Sequence, residues 1–287
     1  MDQVRLRLRV SYDGTAYSGW AVQPQRPTVA AEVIRALTLL FGELEDFTVA
    51  GRTDAGVHAT GQVVHVDVNR AKWEELRPKL LWRLRGILPA DVRVTRAEEV
   101  DPVFNARFAA EWRRYTYRVS DHTWGVDPLR RIDTLPWPRP VDVDRMNRAC
   151  ERLLGEHDFV GFCKRKEGAT TIRALLDYHW ERDADGTAVA TVRADAFCHS
   201  MVRSLVGAAL AVGDGRRDED WLASLLRVDQ RANDVHVVGP KGLTLVEVYY
   251  SDDPARWAER VHTTRRIRTL TEQNSPEAPN AQAGDEG

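Results

Sequence analysis

Val4, Leu6, Leu8 and Val10 alternate with Arg5, Arg7 and Arg9. Only an extended strand gathers residues spaced by two on one face, whereas a helix would scatter them around its circumference. The chain must therefore open on a half-buried strand, and the same alternation returns at residues 62–68. Helical spacing interrupts it. Val33, Ala36, Leu37 and Leu40 fall at i, i+3, i+4 and i+7 behind Thr28, a good N-cap, which predicts a helix over 29–41. Further strands are predicted at 47–50, 92–98, 114–119, 172–181, 187–194 and 243–250, and further helices at 72–85, 144–155, 199–212 and 219–226. Both halves thus mix strands with helices, the pattern of an α+β protein built from two units. The Pro-rich stretch 133–141 separates them, giving units over 1–132 and 142–270. The tail 271–287 is rich in Pro, Ala, Asn and Gln, a composition that predicts disorder.

The 287 residues suffice for one large or two medium domains, and 43% hydrophobic with 29% charged residues is an ordinary globular balance. No apolar run approaches the roughly 18 residues that a membrane-spanning helix needs. Residues 1–10 lack the apolar centre of a signal peptide, so a cytoplasmic location is expected, with no membrane partner. Cys150, Cys163 and Cys198 fit a reducing compartment and offer no disulfide framework. Cys198 and His199 are adjacent, but no second pair at ligand spacing accompanies them, so no metal site is expected. The formal charge of −2 argues at first against a nucleic-acid partner. However, Glu272, Glu277, Asp285 and Glu286 lie in the tail, and without them the rest of the chain carries +2. Arginine and lysine cluster at 113–114, 130–131, 164–166 and 265–268. Such clusters are usually solvated surface, yet they permit a local basic cleft.

Between two predicted strands lies Gly51-Arg52-Thr53-Asp54-Ala55-Gly56-Val57-His58-Ala59, too glycine-rich for either element. A carboxylate on a tight connection can be presented at a cleft by a rigid backbone. Taken alone, Gly-Arg-Thr-Asp reads more readily as a turn in which Asp54 caps backbone N–H groups. The longer string is more specific, because all nine residues closely resemble the signature of the tRNA pseudouridine synthase A family. Other segments resemble that family in the same order: Tyr12 to Thr15 with Gly19-Trp20, Phe104 to Phe108, Arg113 to Tyr117, Leu154 to Phe159, Phe197 to Arg203, and Gly242 to Val246. The departures are Ala30 where the family usually has Gln, Asn105 where His is common, and Ala21-Val22 in place of a more polar pair. They bear on substrate contacts and leave the residues of the chemistry untouched.

The resemblance implies isomerisation of uridine to pseudouridine at positions 38, 39 and 40 of the tRNA anticodon stem-loop. The N1–C1′ bond breaks, the uracil turns, and C5 joins C1′. No metal, redox or nucleotide cofactor is needed, which fits a sequence without a phosphate-loop or dinucleotide motif. The family's essential aspartate falls on Asp54, as nucleophile at C1′ or C6 or as support for a glycal route. Arg203 falls on the basic residue that pairs with it, and Tyr115 on the active-site tyrosine, whose ring can stack on uracil and whose hydroxyl can help remove the C5 proton. Arg52 is expected to hold the extruded nucleotide, Leu245 to line the pocket, and Arg107 and Arg114 to contact phosphate. Without the resemblance, Arg203 is an exposed helix charge and Tyr115 and Leu245 are core residues. The implied fold is two similar α/β units whose antiparallel sheets join into one extended sheet, with helices on one face and the catalytic cleft on the other. The implied assembly is a homodimer binding tRNA across both subunits.

Two other readings compete. A non-catalytic RNA-binding protein has no use for a carboxylate beside phosphates, so the set Asp54, Tyr115 and Arg203 speaks against it. A glycosidase needs a second acid about 5–10 Å from the first. Asp13 is the one nearby motif carboxylate, and its Tyr12 to Thr15 context reads as a turn. His58, His65 and His199 show no ligand spacing, and His58 is expected to be structural.

Overall fold

The alternation at the N-terminus becomes β1 (Gln3–Tyr12), with Val4, Leu6, Leu8 and Val10 buried and Arg9 exposed. The computed structural model describes residues 2–164 and 170–264, so the acidic tail and the cluster at 265–268 lie outside the described residues. After β1 come α1 (Val29–Phe41), β2 (Glu45–Val49), β3 (His58–Asn69), α2 (Arg70–Leu76), α3 (Leu80–Ile87), β4 (Val92–Val100) and β5 (Trp112–Ser120). The second half adds β6 (Leu135–Pro136), α4 (Val143–Glu151), β7 (Gly155–Asp158), β8 (Ile172–Arg182), β9 (Ala188–Ala194), α5 (Met201–Gly213), α6 (Glu219–Ser224), β10 (Leu243–Tyr249) and α7 (Pro254–Thr264).

Ten strands form one mixed sheet in the order β4-β1-β3-β10-β5-β9-β8-β7, with β2 also on β3 and β6 on β5. The last strand in sequence sits in the middle. β10 runs parallel to the start of β3 through His58 and Ala59, and antiparallel to β5. The same edge of β3 carries β2 further along, at Asp67, His65 and Val64. The connection between β2 and β3, which contains Asp54, therefore falls where the neighbour of β3 changes from β2 to β10. Sequence order hides this junction, because β10 lies nearly two hundred residues from β3 in the chain.

Several elements differ from expectation for local reasons. The helix expected over 72–85 is two helices. Pro78 supplies no N–H to a helical ladder, and α2 stops at its C-cap Arg77. The helix expected over 144–155 ends at Glu151, and Gly155, with φ +106°, opens the unforeseen β7. Asp142 caps α4, its side chain accepting from Arg145 N at 3.0 Å. β3 starts four residues before the alternation shows, which shortens the loop around Asp54. The Pro-rich connection is woven into the sheet, since Val119 and Ser120 pair with Leu135 and Pro136 of β6.

Directly paired residues face the same way across a sheet. Tyr178, Val192, Tyr115, Leu245 and Ala59 form such a row through β8, β9, β5, β10 and β3. All five are buried, and α4, with α5 against it, packs on the β8 end of this face. The row leads from the interior of the second half to the base of the Asp54 loop.

Candidate active site

The loop at 51–57 is pinned at several points. Thr53 O accepts from Trp20 N at 3.1 Å, and Tyr17 O accepts from Gly56 N at 3.3 Å. The Thr53 hydroxyl shares a 2.7 Å hydrogen bond with the buried Tyr12 phenol. Gln62 donates to Gly51 O at 2.9 Å, and Val57 N closes a turn on Asp54 O at 3.2 Å. Two glycines of the N-terminal motif admit this contact. A Cβ on Gly14 would stand 2.0 Å from Val57 O, and one on Gly19 (φ +96°) would stand 2.8 Å from Thr53 O. The resemblance at residues 12–20 and that at 51–59 are thus two sides of one packed joint.

His58 holds the loop from beyond. Its Nδ1 lies 3.1 Å from both Gly14 N and Asp13 Oδ1, and its Nε2 lies 3.0 Å from Lys241 O. These contacts make His58 part of the loop's support. Asp13 closes its own turn, accepting from Thr15 N at 3.0 Å and Thr15 Oγ1 at 2.6 Å. Burial pushes the Asp13 carboxyl up, but these bonds and nearby His58 outweigh it and hold the group below its ordinary range. An ionised, turn-bound Asp13 is no general acid, and the glycosidase reading loses its second carboxyl group.

Among the residues singled out in sequence, Asp54, Arg203, Tyr115 and Leu245 come together. Arg203 Nη1 lies 3.4 Å from Asp54 Oδ2, and Arg203 Nε donates to Val238 O at 2.7 Å. The second contact fixes the guanidinium in the first turn of α5 so that its other end reaches Asp54. Tyr115 is directly paired with Leu245, and Phe197 meets its ring edge to face at 5.1 Å. Burial raises the Tyr115 phenol well above its ordinary value, with smaller contributions from Tyr12 upward, Arg113 downward and Asp54 upward. The hydroxyl is therefore neutral at physiological pH and is not a phenolate base for the C5 proton. Tyr115 and Leu245 thus belong to the buried row of the sheet, and the site lies beside the start of α5.

The remaining three residues divide. Arg52 is exposed two positions before Asp54. Arg107 sits on a turn that Asn105 caps by accepting from Arg107 N and Phe108 N, both at 3.0 Å, and its guanidinium lies 5.1 Å over the Phe108 ring. Arg114 is not brought to the site. It alternates with Tyr115 on β5, faces the other side of the sheet, and pairs with Glu247 at 2.5 Å. Its neighbour Arg113, which the sequence places in a basic cluster and in a family-like segment without a role, is buried and donates to three carbonyls: Asp195 O at 2.6 Å, Arg107 O at 2.8 Å and Ala50 O at 3.1 Å. It ties the base of the Asp54 loop to the Arg107 turn and the end of β9. The strand alternation Arg113, Tyr115, Tyr117 was the signal that this arginine points inward.

A second feature escaped the sequence. Cys163 and Cys198 are joined as a disulfide, correcting the expectation of unpaired thiols. They stand 35 residues apart with no motif spacing, and only the fold brings Lys164 N onto His199 O at 3.3 Å beside them. Among the described residues, no group of three or more His, Cys, Asp or Glu could hold a metal ion.

An aspartate on a pinned loop, an arginine reaching it from a helix start and a tyrosine in the adjoining strand define a site built around one carboxylate, and residues 149–251 match the family model described as tRNA pseudouridine synthase. The chain is 55% identical over 270 residues to a tRNA pseudouridine synthase A of Streptomyces griseus, covering 93% of this chain and 95% of that one. It is 55% identical over 271 residues to that of Streptomyces avermitilis, with 93% and 95% covered, and 50% identical over 266 residues to that of Frankia casuarinae, with 92% and 96% covered. The chain belongs to the tRNA pseudouridine synthase A family.

Proposed function

We propose that this protein isomerises uridine to pseudouridine at positions 38, 39 and 40 of the tRNA anticodon stem-loop, with Asp54 as nucleophile. The observation that carries the reading is the contact of Asp54 with Arg203 beside Tyr115, inside the segments that resemble the family's motifs. Arg203 fixes the orientation of the carboxylate. Asp54 then attacks C1′ or C6, or supports a glycal route, while N1–C1′ breaks and C5 takes its place. Tyr115, as a neutral phenol, offers a ring for stacking, and Leu245 closes the pocket wall beside it. Extruding the uridine costs a few kcal/mol, which contacts from exposed Arg52 and Arg107 to the flanking backbone offset. Arg114 takes no part, because Glu247 holds it on the other side of the sheet. The protein works as a cytoplasmic homodimer, a state that light scattering at micromolar concentration checks. No helix among the described residues is long and apolar enough to cross a membrane.

The test is release of tritium from unmodified tRNA labelled at uracil C5. Wild-type protein should release it, and Asp54→Asn should not, while still binding tRNA within about tenfold of wild type. Turnover by Asp54→Asn would remove Asp54 from the chemistry. Tight binding with no release by the wild type would leave only an RNA-binding protein.

A further inference from the structure

The Cys163–Cys198 disulfide takes no part in the chemistry proposed above but adjoins in the chain the residues that contact Tyr115 and Asp54. Cys198 follows Phe197, whose ring meets Tyr115, and stands five residues before Arg203, which reaches Asp54. The segment between them is tightly specified. Ser200 enters α5 in the left-handed region at φ 63°, Met201 N donates to Cys198 O at 3.0 Å, and His199 O accepts from Lys164 N at 3.3 Å. The Cα atoms of the two cysteines are 5.9 Å apart, within the ordinary range for a disulfide. Cys163 is buried, whereas Cys198 is partly exposed and has the Met201 sulfur 3.7 Å away. Cys198 is thus the more exposed of the two. Cys150, the third cysteine, is buried in α4 and unpaired.

The joined form also covers Tyr115. Its residual exposure is only 9%, and Phe197 stands edge-on against it from the stapled segment. A base that stacks on Tyr115 must find room where Phe197 now lies. We propose that Cys163 and Cys198 form a reversible thiol–disulfide site that sets access to the catalytic pocket, closed when oxidised and open when reduced. The oxidant is a low-molecular-weight disulfide. The Cys198 thiolate attacks one of its sulfurs and expels the first small thiolate. Cys163 then attacks the Cys198 sulfur of the mixed disulfide and expels the second. The protein pair loses two electrons and two protons, and the small disulfide gains both to become two thiols. Excess dithiol reverses the sequence.

The effect on turnover rests on the function proposed above, so the experiment carries a readout independent of it. Full-length protein would be equilibrated with glutathione disulfide or with dithiothreitol, and its state checked by intact mass after alkylation. Amide exchange at residues 197–201 would be followed beside tritium release. The reduced form should exchange faster at 197–201 and turn over about tenfold faster at subsaturating tRNA, as when a binding-competent pocket rises from about a tenth populated to nearly full. Cys163→Ser should behave as the reduced form under both conditions, and Cys198→Ser should do the same should the buried serine of the first variant impair folding. Equal exchange in the two forms, or failure of glutathione disulfide to join the pair, would overturn the proposal. Equal turnover despite different exchange would overturn the pocket-access step. Silence of both redox forms in tritium release, with exchange still different, would count against the proposed function and leave the thiol–disulfide site standing.

Discussion

Arg203 Nη1 approaches Asp54 Oδ2 to 3.4 Å across 149 residues of sequence. Neither residue reaches the other alone. Asp54 is delivered by a loop pinned to Trp20, Tyr12 and Tyr17, and Arg203 by a helix whose first turn is anchored on Val238 O. The two side chains keep 30% and 19% of their exposure, so solvent screens the pair and its worth to folding is small. Under the function proposed above its weight falls on the reaction, where a fixed guanidinium orients one carboxylate at no further cost in reorganisation.

Replacing Arg203 should accordingly cost rate far more than stability. Arg203→Ala is expected to lower the single-turnover rate about a hundredfold, the scale for losing one oriented donor in an active site. Arg114→Ala, which removes an exposed pair on the opposite face, should stay within about threefold of wild type. Rapid-quench assays at saturating enzyme would compare them, and equal losses would mean that the Asp54 contact is incidental.

Arg113 predicts the reverse balance. Its guanidinium is buried and accounts for three carbonyls, and burial lowers its own proton affinity. Arg113→Ala orphans those carbonyls and leaves a cavity, so unfolding free energy should fall by about 3 kcal/mol. That is roughly 5 °C in melting temperature for a chain of this size. Arg113→Lys should recover part of it, because an ammonium still donates to one or two of the oxygens. A melting temperature unchanged in Arg113→Ala would show that water replaces the side chain.

Strands with strict alternation were legible because one face is buried and the other is not, as in β1, β8 and β9. Asp54, Tyr115 and Arg203 were legible only through the family resemblance; composition and spacing alone left them a turn aspartate, a core tyrosine and a helix charge. What stayed hidden shares one cause, contact between segments distant in sequence. β10 enters the centre of the sheet beside β3, Cys163 meets Cys198, and Arg114 and Arg113 change places in importance once β5 has a buried face. Local rules failed elsewhere for local reasons: Pro78 divides a helix, and Gly155 starts a strand.

Gly19 tests whether the loop joint matters to the reaction. Gly19→Ala and Gly42→Ala both place a Cβ on a backbone with positive φ, and each should cost about 1–3 kcal/mol in stability. A Cβ on Gly42 meets nothing within 4 Å, whereas one on Gly19 presses on Thr53 O and the backbone of Asp54 and Ala55. Turnover at 20 °C, where both variants remain folded, should therefore fall in Gly19→Ala and persist in Gly42→Ala. Equal activity in the two would separate Asp54's position from the N-terminal motif.

The buried phenols make stability depend on alkaline pH. Burial pushes Tyr12 up to about 12, against hydrogen bonds from Thr53 and Gln62, and raises Tyr115, Tyr117 and Tyr250 as well. In the unfolded chain these groups titrate near 10. A raised folded value means that their contribution is complete below about pH 10. Above that, the unfolded state sheds protons that the folded state retains, and stability drops by up to about 1.4 kcal/mol per pH unit for each such group. Urea unfolding midpoints should be level from pH 8 to 9.5 and decline steeply beyond 10. Tyr12→Phe removes one titrating phenol along with the bond to Thr53. It should start lower at pH 8 but decline less steeply, so that its curve converges on that of the wild type. Parallel curves would place the alkaline loss in other groups, and a shallower wild-type curve would contradict the burial of Tyr12 beneath the Asp54 loop.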